Sequence, residues 1–374
     1  MDKIQSHSTL SRRDFLKLTA AAGAMAVGGH LLDTYAPWLN AEEQAALARQ
    51  PLTQEDILSQ QLVEMVRYAT LAANGHNTQP WKFAIRQDAV EIRPDDSRRL
   101  PVVDPENREL WISLGCALEN LLLAARATGY APTVAYPDAD DVIRVQLALA
   151  TPQAGSLFDA IPLRQTTRSV YDGRTVPSAD LDTVQSLPLE PGVSLRFLTT
   201  PADMETALEY VSAGNLQQYA DRAFVDELIA WLRFNKKEAL ATLNGLYSRC
   251  SGNPTVPRWL GRMFVAGTKP EQQAGADAEK LRSSAGAVII SSDTDDKAAW
   301  VRAGQVYERL TLQMTALDIK SALLNQPIEV AELRGQFQNA LNLGAYLPQL
   351  LVRFGYADAL PKSLRRPVEQ VLLR

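Results

Sequence analysis

The sequence is poor in the residue types that enzymes use for catalysis without a cofactor. It has three histidines, and two of them, His7 and His30, lie in the first thirty residues. If that segment is removed, His76 is the one histidine left, which excludes zinc or iron sites built from two or more histidines. The chain also contains no GxSxG, HExxH, CxxC or GxxxxGKS motif. Chemistry in this protein would therefore have to come mainly from a bound cofactor.

Cysteine and net positive charge are also scarce. Cys116 lies in an apolar helical pattern and Cys250 in a polar stretch, which favours two free thiols, with a disulfide as the alternative in an oxidising compartment. The net charge is −5, and loss of residues 1–30 would make it about −7, because that segment has four basic and two acidic side chains. Such a charge argues against nucleic acid as a main partner.

The N-terminus has the pattern of an export signal. Ser11-Arg12-Arg13-Asp14-Phe15-Leu16-Lys17 precedes a short run rich in Ala and Gly, which is too short and too weakly apolar for an ordinary membrane span. We predict a twin-arginine signal and linker over residues 1–40, the alternative being a chance Arg-Arg pair before a buried helix. The predicted partner is the twin-arginine export machinery. The protein would fold in the cytoplasm with its cofactor, reach the periplasm or beyond, and keep no stable membrane span.

The remaining chain divides into two regions of mixed helices and strands. Period-two alternation over 81–92 predicts a strand, a turn and a strand, and residues 111–128 predict a helix. A polar junction separates a first half, 50–155, from a second half, 156–374. Residues 236–278 are less regular, and form either a lid over a pocket or a surface excursion without a role.

An internal repeat links the two halves. Six residues of the predicted helix recur 189 positions later, which suggests a duplicated helix. Trp111, Gly115, Glu119, Leu121, Leu123 and Ala127 return as Trp300, Gly304, Glu308, Leu310, Leu312 and Ala316.

Four motifs carry a resemblance to a known family. They are NGHNTQPW at 74–81, RQTTR at 164–168, NQPIE at 325–329 and PKSLRRP at 361–367. In this order they are similar to the motifs of nitroreductase-family FMN-binding proteins, and the layout resembles the tandem Acg-type branch. The resemblance implies an α+β, three-layer sandwich, duplicated in tandem as an intramolecular pseudo-dimer. It implies one FMN per chain, and a monomer or a weak homodimer.

The resemblance also implies which residues bind the cofactor. Arg164, Arg168 and Arg365 would hold the FMN phosphate, since guanidinium groups are permanently charged, planar donors. Thr166 would add a hydroxyl donor. The amides of Asn77 and Gln79 suit the uracil-like edge of the flavin. Further predicted contacts in the first loop are Asn74, Gly75, which lets the backbone approach, and His76, which would contact the loop or ribityl chain, make no contact, or transfer a proton.

The opposite face of the flavin is expected at Pro327, Ile328, Glu329 and Val330. The backbone N–H of Val330 would approach flavin N5, which would carry the chemistry, so no catalytic side chain is predicted. Two departures from the family pattern stand out: Ala73-Asn74 replaces the usual Pro-Ser, and Val330 stands where Gly is common.

Three functions are compatible with the sequence. The first is an FMN oxidoreductase that passes electrons to a small nitroaromatic or quinone-like acceptor, with NADH or NADPH as a candidate donor. The second is a flavin-binding or flavin-sequestering protein with little turnover. The third is a cofactor-free interaction protein that retains only the fold.

Overall fold

The computed structural model describes residues 40–51, 58–137 and 140–373. The predicted export signal therefore lies outside the described residues. The helices are α1 Ala41–Leu47, α2 Leu58–Ala69, α3 Arg108–Ala127, α4 Ser156–Ala160, α5 Ser178–Gln185, α6 Pro201–Ala220, α7 Arg222–Trp231, α8 Lys236–Thr242, α9 Arg258–Ala266, α10 Pro270–Arg282, α11 Lys297–Ala316, α12 Gln326–Glu329 and α13 Ala331–Ala340. The strands are β1 Trp81–Ile85, β2 Ala89–Pro94, β3 Tyr130–Ala135, β4 Ile143–Leu149, β5 Val193–Leu198, β6 Leu232–Arg233, β7 Leu246–Tyr247, β8 Gly286–Ser292, β9 Lys320–Leu323 and β10 Leu347–Gly355.

The first sheet is antiparallel, in the order β1-β2-β4-β3. The strand-turn-strand unit predicted at 81–92 is confirmed as β1 and β2. The end of the chain joins this sheet, because the N–H of Phe83 donates to the carbonyl of Val371 at 2.8 Å. The C-terminal segment is thus tied to the edge of a sheet that lies almost 300 residues earlier in sequence.

The second sheet has the order β5-β8-β10-β9 and is also antiparallel. Its strand β8 is buried along its whole length. Val288 and Ile290 face the main core, while Ala287 and Ile289 face a second core under α6 and α10. This period-two division explains why the strand is apolar at successive positions, as expected of a strand covered on both faces.

Two long helices, α3 and α11, cross at the centre of the main core. A Cβ placed on Gly115 would lie 2.0 Å from the carbonyl oxygen of Val301, and one on Gly304 would lie 2.1 Å from that of Ile112. Both glycines come from the sequence repeat, and their missing side chains let the two backbones approach. The predicted helix at 111–128 is therefore confirmed, and the predicted α+β class is confirmed with it.

Among the described residues, α3 is the one helix long and apolar enough to cross a membrane, but 83% of its most apolar window is buried. A helix buried against α11 and the first sheet is a core helix. Both cysteines are free and buried. The region 236–278, predicted to be irregular, instead contains α8, α9 and most of α10.

Candidate functional site

A cleft lies where three predicted motifs meet. It has a cavity volume of about 50 Å³, within a wider depression of about 500 Å³ that includes open solvent. Its walls come from the loop after α2, the segment after α4, the turn after α8 and the segment after β10. The lining residues that were predicted as site residues are Asn74, Asn77, Arg164, Thr166, Arg168 and Arg365. Amides before residue 80 and guanidinium groups after residue 160 thus converge on one space.

The first loop has an unusual backbone. His76, Asn77 and Gln79 have φ values of 48°, 53° and 55°, in the left-handed region that non-glycine residues rarely adopt. The Asn74 side chain accepts a hydrogen bond from the Gln79 N–H at 2.8 Å and closes the turn. Ala73 is fixed as well, because its N–H donates to Glu308 of α11 at 3.1 Å. Three such residues within four positions cost free energy, which is a common property of functional loops.

The cleft has a large excess of positive charge. Arg164 contacts Glu308 with 3.0 Å between Nε and Oε1, and both side chains are buried. Arg168 lines the cleft without an ion pair or hydrogen bond to any described residue. Lys362 and Arg365 lie close enough to these groups for repulsion to matter. Burial, together with the neighbouring cations, lowers the pKa of Lys362 to about 7.

Arg365 has a role that the sequence did not indicate. Its Nε donates to the carbonyl of Thr70 at 2.7 Å, and Nη2 donates to those of Leu71 at 3.1 Å and Ala72 at 3.2 Å. Its Nη1 donates to Asn77, Ser363 and Leu364. All of its N–H groups therefore have protein acceptors. Arg365 ties the C-terminal segment to the end of α2 and adds positive charge to the cleft without a free donor.

Asn77 and Gln79 also bind protein groups. We call residues 243–251 the cover segment, since Gly245, Tyr247 and Cys250 line the cleft. Asn77 Nδ2 donates to the carbonyl of Gly245 at 3.1 Å, and the Gly245 N–H donates back to the Asn77 carbonyl at 3.0 Å. Gln79 Nε2 donates to the carbonyl of Leu243 at 2.8 Å. These amides fasten the cover segment to the loop.

His76 is partly buried and does not line the cleft. Burial and the nearby positive charge of Arg168 lower its pKa to about 4. The imidazole is therefore neutral near pH 7 and adds no further cation to the cluster. Its direct role stays a prediction.

The residues predicted at the opposite flavin face lie elsewhere. Among the described residues that line the cleft, none comes from 327–330. Pro327 and Ile328 are buried, and Glu329 accepts a hydrogen bond from Gln218 at 2.6 Å. The Val330 N–H donates to the Gln326 carbonyl at 3.1 Å and closes the short helix α12. In this structure the Val330 N–H completes a helical turn, and the contact of residues 327–330 with flavin N5 stays a prediction.

Glu329 belongs to a buried acidic group on the other side of the loop. Gly75 lines a smaller depression with Asp104 and Glu109, and Glu109 lies beside Glu329. Burial, and then repulsion between the carboxylates, raises the pKa of Glu109 well above its usual value; burial also raises the pKa of Asp104 and Glu329. The loop at 74–79 therefore borders both the basic cleft and a depression in which Asp104 and Glu109 lie together with Arg98 and Arg99.

Two parts of this site were not predicted from the sequence. Glu308 was recognised only as a repeated helix position, although it is the counter-ion of Arg164. Lys362 was named only within the basic motif 361–367, although it lies near the cations of the cleft.

Comparison with known proteins agrees with the motifs. The family model for the TAT (twin-arginine translocation) pathway signal sequence matches residues 9–29, which confirms the predicted signal. The chain is 28% identical over 316 residues to "Putative NAD(P)H nitroreductase Rv3131" of Mycobacterium tuberculosis (strain ATCC 25618 / H37Rv), covering 81% of this chain and 88% of the relative. It is 26% identical over 322 residues to "Putative NAD(P)H nitroreductase acg" of the same strain, covering 82% and 93%. The predicted resemblance to Acg-like nitroreductases is confirmed.

Solved structures give a weaker likeness. One is the FMN-dependent nitroreductase NfnB from Mycobacterium smegmatis in complex with NADPH, with 14% identity and a TM-score of 0.36 over 58% of this chain and 91% of that chain. Another is a nitroreductase with bound FMN from Desulfitobacterium hafniense DCB-2, with 11% identity and a TM-score of 0.37 over 59% and 99%.

Proposed function

We propose that this chain is an FMN-dependent oxidoreductase of the nitroreductase type, with one FMN per chain. The observation that carries the proposal is the cleft in which Arg164 and Arg168 face a space where, among the described residues, the one carboxylate paired with them is that of Glu308. Buried guanidinium groups without matching acids are costly unless an anion neutralises them. A phosphate monoester carries close to two negative charges and takes several charge-assisted hydrogen bonds.

The residues would divide the binding work as follows. Arg168 has uncommitted donors, and the buried Nη1 of Arg164 lacks a hydrogen-bond partner in the part of the chain that the structure describes. These two would hold the phosphate directly, with Thr166 beside them. Arg365 would contribute charge and keep the loop in place. Asn74 and Asn77 would stand nearer the ribityl chain and ring.

When bound, FMN would supply hydride and electron transfer through its N5 atom. This chain's residues would bind it, orient it and exclude water. The curated relatives are named NAD(P)H nitroreductases, which supports a nicotinamide nucleotide as donor and a small nitroaromatic or quinone-like acceptor. Burial raises the pKa of Glu109 and of Glu329 beside the loop.

A second candidate, flavin storage with little turnover, is favoured by the cover segment. Asn77 and Gln79 hold it closed with three hydrogen bonds of 2.8 to 3.1 Å. A cofactor behind such a cover would exchange slowly and meet acceptors rarely. Export through the twin-arginine pathway would bring the folded, loaded protein to the periplasm, where the chain would act as a pseudo-dimer within one polypeptide.

The first experiment measures flavin content. Full-length protein made in the cytoplasm is denatured, and the released FMN is quantified by fluorescence, with about one FMN per chain expected. The loaded protein is then mixed anaerobically with NADH or NADPH. Loss of the yellow colour supports the oxidoreductase, and persistent oxidised flavin with every donor supports storage. A protein that takes up no FMN even on reconstitution contradicts both.

A further inference from the structure

The segment that follows the export signal lies against a wall of the cleft. Helix α1 begins after Asn40, whose side chain accepts hydrogen bonds from the N–H groups of Glu42 and Glu43. Its buried residue Ala45 packs with Tyr247 and Cys250. Both of these cover-segment residues line the cleft. The segment is therefore part of the folded site region and not a free leader.

The chain beyond α1 is held at a fixed position. Arg67 of α2 donates from Nη1 to the carbonyl of Ala48 at 2.9 Å and from Nη2 to that of Gln50 at 2.8 Å. Arg67 is itself paired with Glu64, with 2.6 Å between Nη2 and Oε2. These contacts hold the backbone in place on both sides of Arg49.

Arg49 is a partly buried cation, and it has no acidic partner among the residues that the structure describes. Its Nη1 donates to the carbonyl of Ala45 at 2.8 Å, but its buried Nε has no hydrogen-bond partner among the described residues. Its charge repels Arg164, and burial with that repulsion lowers its pKa to about 10. Arg67, in contact with the same segment, has the carboxylate that Arg49 lacks. A guanidinium kept for structure alone would be expected to have such a partner.

We infer that Arg49 is a further guanidinium of the anion site, so that residues 40–50 complete the pocket for the phosphate end of the ligand. This inference rests on the proposed function for the identity of the ligand, and on the cation cluster for its chemistry. An anion in the cleft would neutralise Arg49, Arg164 and Arg168 together. The segment between export signal and first motif then has a binding role.

The test compares FMN with riboflavin, which lacks the phosphate. Dissociation constants for full-length protein and an Arg49→Gln variant are measured by quenching of flavin fluorescence. We expect FMN to bind about ten-fold or more weakly to the variant, because a charge-assisted contact is lost. Riboflavin affinity should change less than about two-fold, since no phosphate is present. Arg49→Lys should recover part of the loss, and Arg262→Gln, at an exposed arginine of α9, should change neither constant.

Two results would overturn the inference: an unchanged FMN constant in Arg49→Gln, or an equal loss for both flavins, which would mean a structural role. A thermal-shift titration with inorganic phosphate separates this failure from failure of the proposed function. If the wild type binds no flavin but phosphate still stabilises it more than Arg49→Gln, the anion site stands and the FMN assignment fails. If phosphate stabilises both equally, the role of Arg49 is refuted.

Discussion

Glu119 and Glu308 occupy matching positions of the sequence repeat on the two central helices, yet their surroundings differ. Glu119 is paired with Arg309 through two contacts of 2.8 Å, and Arg309 also binds Glu190 at 2.8 Å. Glu308 is paired with Arg164 at 3.0 Å, but further cations surround this pair. One side is a closed ion-pair network, and the other has unneutralised positive charge. If one FMN binds per chain, as proposed, this difference between the surroundings of Glu119 and Glu308 gives the physical reason.

The crossing of α3 and α11 is shared by both sides, so changing it should have the largest effect. Gly304→Leu would drive a side chain into the Ile112 carbonyl, 2.1 Å from the position of Cβ. We expect loss of most of the free energy of unfolding, which for a typical domain is about 5–15 kcal/mol. Urea denaturation followed by circular dichroism measures it.

The control for that variant is Gly275→Leu. Gly275 lies in α10, and a Cβ there meets no atom within 4 Å. Stability close to that of the wild type is expected for the control. If Gly304→Leu were as stable as Gly275→Leu, the close helix crossing would be wrong.

The ion-pair network of Glu119, Arg309 and Glu190 should matter for stability alone. Arg309→Met leaves Glu119, whose side chain is 1% exposed, without its cation. Breaking a buried pair by removing one partner costs about 3–5 kcal/mol. Because Arg309 is bound to Glu119 and Glu190 and does not line the cleft, the FMN dissociation constant of the folded protein should be unchanged. A weakened FMN constant would show that the two sides are coupled.

The cation cluster around Arg164 and Glu308 should matter for FMN binding and not for stability. Arg168→Met removes a cation that has no partner among the described residues, so stability without ligand should stay the same or rise. FMN affinity should fall about ten-fold or more. Thermal melts with and without FMN, beside a flavin titration, test both parts. A drop in the stability of the free protein together with unchanged FMN binding would make Arg168 a structural residue.

The features that could be predicted from the sequence are those that depend on residues close together along the chain. Alternation located β1 and β2, and the repeated glycines marked the helix crossing. The motifs that converge on the cleft were found because each is a short pattern. What the sequence could not supply were partners distant along the chain. Gln79 donates a hydrogen bond to the carbonyl of Leu243, 164 positions away. Nothing in the pattern NTQPW distinguishes a flavin contact from this contact within the protein.

The location of residues 327–330 shows the same limit. The segment QPIE resembles a flavin-facing segment, but the capping of its own helix determines where the Val330 N–H points. Likewise, the left-handed φ values at His76, Asn77 and Gln79 were not predicted from the sequence, although Asn and His adopt this region more often than most residues. Both features arise from tertiary contacts, which a local pattern does not contain.

The smallest predicted effect is a pH dependence of the cation cluster around the cleft. As the pH rises, the stability of the free protein should increase and the affinity for FMN should decrease. The pKa of Lys362 is lowered to about 7 from 10.5, so its charged form is disfavoured in the folded protein without ligand. Between pH 7 and 10 the unfolded chain binds the extra proton, so the contribution of Lys362 to stability rises with pH in this window.

Binding of FMN should change the other way. The charged Lys362 attracts the phosphate, so affinity should fall several-fold as the pH rises through 7. The Lys362→Met variant should lose both dependences, and riboflavin should show neither a strong decline nor a difference between wild type and variant. Flavin titrations and thermal melts at pH 6.5, 7.5 and 8.5 would measure these trends. An FMN affinity that rose across this range in the wild type would mean that the cation cluster does not govern binding, and that the contrast with the Glu119 side has another cause.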